Sequence, residues 1–400
     1  MKPRIFINMH YMEIGGAERA LLGLLNAIDT NKVNVDLFIN QHTGEFMKLI
    51  PKKINLLLEI SAYSVIEKPI TTAIKKGHIG IALARIWSKL THKFHTLSQI
   101  QAQSGDDTSI FHYIAKYTTP LLPSLKNRGE YDLAISFLTP HNIVKDKVIA
   151  KKKIAWIHTD YSTISVNVEQ ELLTWNSFDK IVSISPEVAK AFIKTFPTLN
   201  DKIIEIENIL SPSFIRQQAQ LFTPQEMQED CVKICSVGRF CYAKNFENIP
   251  YIAQKLKEKG LIYKWYIIGF GDIAQTIKNI QITNSEGSVI LLGKKENPYP
   301  YIANCDIYAQ PSRYEGKSVT VREAQILCKP VIITNYPTAS SQVKNGVDGI
   351  ICEMDNDSIV NAIFNLVQDK DNLTKIEQYL SSHDYGNENE ITKIYQLINE

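Results

Sequence analysis

KICSVGRFCYAKNFENIPYIAQKLKEKGLIYKWYIIGFG, residues 233 to 271, decides the fold. It opens on a short apolar run, crosses a polar turn carrying Gly238, Arg239 and Lys244, and continues into the helix-period stretch NIPYIAQKLKEKG. Gly260 closes that stretch as a C-cap, and a second apolar run, KWYII, follows. Run, amphipathic helix and run make a βαβ unit with parallel strands. Downstream the alternation continues through SVILLG, CDIYAQP, the helix SVTVREAQILC stopped by Pro330, PVIITN and GIIC.

Upstream, a separate alternation starts at RIFIN and the helix AERALLGLLNAI, with Ala17, Leu21, Leu24 and Ile28 on one face. VNVDLFIN, YDLAISFL, KKIAWIH and KIVSIS then follow as short apolar runs, the last feeding the helix PEVAKAFIKTF. The polar stretch 211–230, SPSFIRQQAQLFTPQEMQED, is the expected linker between the two series. A chain of 400 residues exceeds what one core organises. The expectation is therefore an α/β protein of two Rossmann-like, doubly wound parallel-sheet domains, 1–205 and 206–384, facing an interdomain cleft. A terminal amphipathic helix, 385–400, is expected to pack back toward the first domain.

Composition narrows the function classes. A net charge of +2 gives no global attraction to nucleic acid, so none is expected as a partner. The N-terminal apolar run is too short for a secretory leader, and no stretch approaches the roughly 18 apolar residues of a membrane span, so the expected location is the cytoplasm. All six cysteines lie in the second half without a C-x-x-C pair, and are expected as mostly buried thiols rather than a metal centre.

Residues 68–95 carry Lys68, Lys75, Lys76, Arg85, Lys89 and Lys93 with no acid, while Ile79, Leu83, Trp87, Leu90 and Phe94 recur at helical spacing. Two readings stand open. One is peripheral attachment to an anionic membrane surface at the inner face of the cell membrane; the other is a domain helix turning its apolar stripe inward.

Six short stretches carry possible chemistry. Gly15-Gly16 lies between the first strand and first helix, where backbone can approach polar oxygens; the alternative is a plain tight turn. Gly269-Phe270-Gly271-Asp272-Ile273-Ala274 satisfies a dinucleotide fingerprint and keeps an NAD(P)-dependent oxidoreductase open, although its strand is not the first of its domain. Arg239 and Lys244, five apart across a strand-end turn, suit a diphosphate or are two solvated cations. In PSRYEGKSVTVREAQ, residues 311–325, Ser318 or Thr320 can cap the helix holding Glu323. Gly316, Lys317 and Ser318 would then offer amides to an anion, while Thr320-x-x-Glu323 also matches a capping box. His158 ends a strand of the first domain, placed to bond a substrate hydroxyl or to serve structure alone. Asp355-Asn356-Asp357 reads as a helix cap.

The order GGAER, strand-end His158, GRF-x4-KN, GFG and PSRYEG-x6-EA resembles the retaining glycosyltransferases of family 4, of the two-domain GT-B fold, in bacterial glycan biosynthesis. The resemblance spans nearly the whole chain, and the pair Glu315 and Glu323 is its most specific element. It implies a UDP- or GDP-sugar donor held mainly on the second domain, with no cofactor and no metal required. Arg239, Lys244 and the amides of Gly316, Lys317 and Ser318 would hold the diphosphate, and Glu323 would meet the ribose. Glu315 and His158 would face the transferred hexose or N-acetylhexosamine. Gly15 and Gly16 would approach the diphosphate, and Gly269 and Lys294 would lie by the donor. Catalytic roles fall to Glu315, His158, Arg239 and Lys244. The acceptor is a glycan, lipid-linked in one version; a catalytically silent, membrane-associated homologue is the further alternative.

Overall fold

The computed structural model describes residues 2–98, 106–271, 274–283 and 287–399. The chain forms two compact units. One comprises the residues up to Ile209 together with those from Glu388 on; the other runs Leu210–Asn387.

The first unit holds a seven-stranded sheet: β1 (Arg4–Met9), β2 (Asn34–Ile39), β3 (Asn55–Leu56), β4 (Tyr131–Ser136), β5 (Ala150–Ile157), β6 (Lys180–Ser183) and β7 (Ile203–Glu205). Its order is β3-β2-β1-β4-β5-β6-β7, all parallel. Ile5, Phe6 and Ile7 of β1 are all fully buried, as a parallel strand covered on both faces requires. On one face Phe6, Phe38 and Tyr131 join a core that runs on to Trp175, Phe178 and Phe192. The order of strands reverses between β1 and β4, where a doubly wound sheet opens its ligand crevice. α1 (Gly16–Ala27) follows β1.

α2 (Ile79–Ser98) turns Ile81, Ala82, Arg85 and Ser88 inward against α3 (Ser109–Thr118) and neighbouring segments. The quoted apolar stripe is exposed: Ile79, Leu83, Trp87, Leu90 and Phe94 face solvent. Arg85 corrects the expected basic face. Its guanidinium is buried, and Nη1 donates to the carbonyls of Val65 and Lys68.

The second unit has six parallel strands: β8 (Val232–Val237), β9 (Tyr263–Ile268), β10 (Val289–Gly293), β11 (Ile307–Gln310), β12 (Val331–Thr334) and β13 (Gly349–Cys352). They are ordered β10-β9-β8-β11-β12-β13. The reversal here falls between β8 and β11. The stretch 211–230 is no simple linker: Pro212–Ala219 forms helix α4, capped by Ser211 Oγ accepting from the Phe214 amide. Ser-Pro supplies the cap and first-turn residue, and the helix buries Phe214, Ile215 and Ala219. Arg216 Nε donates to the Ile326 carbonyl, and Asn297 Nδ2 to that of Gln218. α5 (Ile249–Glu258) is closed by Gly260 at φ 82°.

Asp355 caps the helix Asn356–Gln368, accepting from the Ser358 amide at 2.8 Å. The six thiols are free, but only Cys235 and Cys305 are buried and Cys241 is exposed, fewer buried than expected. The terminal helix, labelled α7 (Ile391–Asn399), belongs to the first unit, where Tyr395 Oη accepts from the Asp29 amide and Lys393 Nζ donates to the Glu205 carbonyl.

Candidate functional site

In the second unit the chemistry gathers at the carboxyl ends of β8 and β11, the adjacent strands at the reversal. Beyond β8, Gly238 leads into a short turn whose Asn245 adopts φ 57°, a left-handed conformation that asparagine tolerates. Beyond β11, residues 311–318 descend into helix α6 (Val319–Ile326). Several bonds tie the two loops, among them Arg313 Nη1 donating to the Tyr242 carbonyl at 2.6 Å. Lys244 Nζ meets Glu315 Oε1 at 2.5 Å, Arg313 Nη1 meets Glu247 Oε1 at 2.6 Å, and the Arg313 amide donates to the Ala243 carbonyl at 2.8 Å. Arg313 also stacks over Tyr242, 4.2 Å from its centroid.

Glu315 is held on several sides. Ser312 Oγ donates to Oε1 at 2.6 Å and Gln310 Nε2 reaches it at 3.4 Å, while Thr338 Oγ1 donates to the Glu315 and Gly316 carbonyls at 2.9 and 2.6 Å. Arg239 is exposed, and its side chain meets no acceptor among the described residues. Of the two predicted cations, then, Lys244 is engaged by Glu315 and Arg239 is open to solvent.

Ser318 sits at the N-cap of α6 without capping it through its side chain. Its hydroxyl lies 3.2 Å from Thr320 Oγ1. Its amide is not available to an anion either, because it donates to Gln342 Oε1 at 3.1 Å while Gln342 Nε2 returns a bond to the Ser318 carbonyl at 2.5 Å. Tyr336 Oη donates to the same Gln342 Oε1 at 3.1 Å. Burial, with the nearby Glu315 charge, pushes the Tyr336 phenol up, so it remains a donor. Of the three expected amides, Ser318 is removed from the anion site.

The capping-box reading of Glu323 fails. With the cap at Ser318, the third helical residue is Val321, and Thr320 already lies inside the helix. Glu323 is fully buried and accepts from Tyr299 Oη at 2.8 Å.

The glycines of the dinucleotide-like motif have another physical reason. A Cβ on Gly269 would stand 1.8 Å from the Gly238 carbonyl oxygen, and one on Gly271 would stand 2.3 Å from that of Phe240. Phe240 and Gly271 form a bridge, with the Phe240 amide donating to Phe270 at 2.7 Å. GFG thus packs beside the Arg239 turn at the end of the second strand of its unit. Asp272 and Ile273 of that motif lie outside the described residues. Lys294 Nζ sits 5.1 Å from the Phe270 ring centroid.

In the first unit, Gly15 is the N-cap of α1, and a Cβ there would fall 2.1 Å from Glu18 Oε2. A Cβ on Gly16 would meet nothing within 4 Å. His158, past the end of β5, stacks at 5° on Trp156 and tilts against Phe137, its centroid 4.6 Å away. Burial pushes its pKa down to about 3, so the ring is neutral at physiological pH, and its buried Nε2 meets no partner among the described residues. Sequence reasoning missed His10, past β1, whose Nδ1 donates to Glu67 Oε1 at 2.8 Å. Burial lowers the His10 pKa, the Glu67 charge raises it, and the net shift is upward.

Two parallel-sheet units of doubly wound order, each with polar groups gathered at strand ends, have the GT-B fold. HepE of Anabaena in complex with UDP shares it, with a TM-score of 0.61 at 15% identity and full coverage of both chains. Residues 217–382 match the family described as glycosyl transferases group 1. Among sequence relatives, an uncharacterized glycosyltransferase of Haemophilus influenzae is 25% identical over 59% of this chain and 66% of its own length. The UDP-Gal:alpha-D-GlcNAc-diphosphoundecaprenol alpha-1,3-galactosyltransferase of Escherichia coli is 31% identical over 34% of this chain and 36% of its own. The matches thus span about two thirds and about one third of those relatives.

Proposed function

We propose that the protein is a retaining, metal-independent glycosyltransferase that moves a hexose or N-acetylhexosamine from a UDP sugar to a lipid-linked glycan acceptor. The observation that carries the reading is the juxtaposition at the β8 and β11 ends: the exposed Arg239, the Lys244–Glu315 pair and the N-terminus of α6. Breaking a sugar–phosphate bond leaves growing negative charge on the diphosphate. A cation that exchanges a protein carboxylate for that charge, a second open cation and the positive end of a helix stabilise it as it forms. Glu315, released from Lys244, would accept hydroxyl protons of the sugar, and Glu323 those of the ribose. In the first unit, His158 is neutral and Gly16 has no internal cause for its missing side chain.

In the retaining reaction proposed, the acceptor hydroxyl attacks from the face the diphosphate leaves, and a diphosphate oxygen takes its proton. The diphosphoundecaprenol-linked acceptor of the E. coli relative supports the lipid-linked class, and HepE's bound UDP supports uridine over guanosine. No helix among the described residues is long and apolar enough to cross a membrane; the surface of α2 is the proposed route to a lipid-linked acceptor. Its exposed Ile79, Leu83, Trp87, Leu90 and Phe94 stand with exposed Lys75, Lys76, Lys89 and Lys93, a combination that suits an anionic lipid surface.

A thermal-shift series with UDP, GDP and NADH tests the donor class. A nucleotide at 100 times its dissociation constant stabilises by about 2.7 kcal/mol. UDP is expected to raise the melting temperature and Lys244→Ala to remove the shift. A response to NADH alone would overturn the reading, and sugar transfer lost in EDTA would overturn its metal independence.

A further inference from the structure

The first unit contains a cavity of about 270 Å³ that the proposed donor chemistry does not use. It is set at the carboxyl ends of β1, β2 and β4: His10 follows β1, Asn40 follows β2, and Pro140 and Asn142 follow β4. That is the reversal point of this sheet, where doubly wound folds bind ligands.

Three polar side chains lining it are more than nine-tenths buried: His10, Arg85 and Asn142. Two of them keep a buried polar atom with no protein partner among the described residues, namely Arg85 Nε and Asn142 Oδ1. Leaving such atoms unmet is costly, so two in one cavity point to a ligand that meets them. The rest of the lining is largely apolar, with Phe111, Ile114 and Ile143 prominent.

Charge excludes some ligands. Arg85 is balanced by Glu67, which also lines the cavity and holds His10. An anion would face the Glu67 carboxylate and a cation the Arg85 guanidinium, so a neutral ligand fits best. It must accept from the Arg85 Nε–H, donate to Asn142 Oδ1, and present apolar surface. A sugar hydroxyl can pair with both polar atoms but brings nothing to the apolar wall. An acetamido group brings a carbonyl, an N–H and a methyl together.

We infer that this cavity recognises the acetamido group of an N-acetylated sugar on the acceptor, with the Arg85 Nε–H donating to its carbonyl and Asn142 Oδ1 accepting its N–H. This rests on the transferase reading above and narrows its acceptor.

The test is binding of methyl α-N-acetylglucosaminide against methyl α-glucoside to the full chain, by saturation-transfer NMR without nucleotide. The acetamido glycoside is expected to bind about tenfold more tightly, the size of one buried hydrogen-bonded amide. Asn142→Leu is expected to erase that preference, and Ala115→Leu, which fills the cavity, to abolish binding; both should keep the wild-type melting temperature within a few degrees. Equal affinity for the two glycosides, no binding of either, or a preference that survives Asn142→Leu would each overturn the inference. The UDP thermal shift, measured on the same samples, separates this outcome from failure of the donor reading: a UDP shift without acetamido preference sinks only the acceptor inference.

Discussion

Glu315 and Glu323 stand eight positions apart, yet the fold gives them different surroundings. Glu315 faces Lys244 and Ser312 at the loop, partly open to solvent, whereas Glu323 lies wholly inside under Tyr299. Glu323→Gln keeps the volume and a Tyr299 acceptor, so the melting temperature of the free protein should stay within a few degrees. If Glu323 meets the donor ribose, the variant loses the UDP shift; an intact shift would leave Glu323 a purely structural acid. His158 gives a second test, with its sign fixed by burial. Its folded pKa, about 3, lies below the ordinary histidine value of 6.5. The neutral ring's contribution is therefore fully present above pH 6.5 and lost as pH falls from there toward 3. A histidine-detected NMR titration should show the His158 ring unprotonated between pH 8 and pH 5, and His158→Phe should flatten part of the acid loss of stability in urea unfolding. A His158 resonance titrating near 6.5 would contradict its burial.

Legibility in the sequence follows the range of the interaction. Strands, helices and strand-end glycines are written in local periodicity, so both parallel sheets could be read from apolar runs, and the Arg239 turn and the 311–318 loop from their positions at strand ends. What local pattern cannot show is which side chain reaches across. Gln342, which takes the Ser318 amide away from any anion, lies 24 residues from it, and His10 pairs with Glu67 from another segment. The apolar stripe of α2 shows the same limit: periodicity gave the helix but not which face it buries. The structure turns Ile81, Ala82 and Arg85 inward and leaves the longer stripe in water. At this scale the expected result is vesicle binding. With anionic lipid the protein should sediment, and replacing Lys75, Lys76, Lys89 and Lys93 by Glu should release it, each lysine contributing about 1 kcal/mol. Trp87→Ser should weaken binding without altering the fold, since Trp87 is exposed. Sedimentation unchanged in both variants would return α2 to an ordinary surface helix.

The chain as a whole closes its first unit with both ends. After the second unit it re-enters the first through α7, whose Ile391, Ile394 and Leu397 are buried, and which packs against β4. Tyr395 holds the amide of Asp29 just after α1, and Glu390 Oε2 accepts from the Glu207 amide near the exit from the first sheet. Removing residues 388–400 therefore uncovers apolar surface on the first unit and leaves the internal contacts of the second intact. Three buried aliphatic side chains at roughly 1.5–3 kcal/mol each set an upper bound of several kcal/mol on the loss. Hydrogen exchange on the truncated chain should show faster exchange in β1 and β4 with unchanged protection in β8, β9 and β11. The UDP shift, whose proposed groups lie largely in the second unit, should persist in part. Equal loss of protection in both sheets would mean that the two units unfold as one cooperative body, and the separation of donor chemistry from the first unit's stability would have to be abandoned.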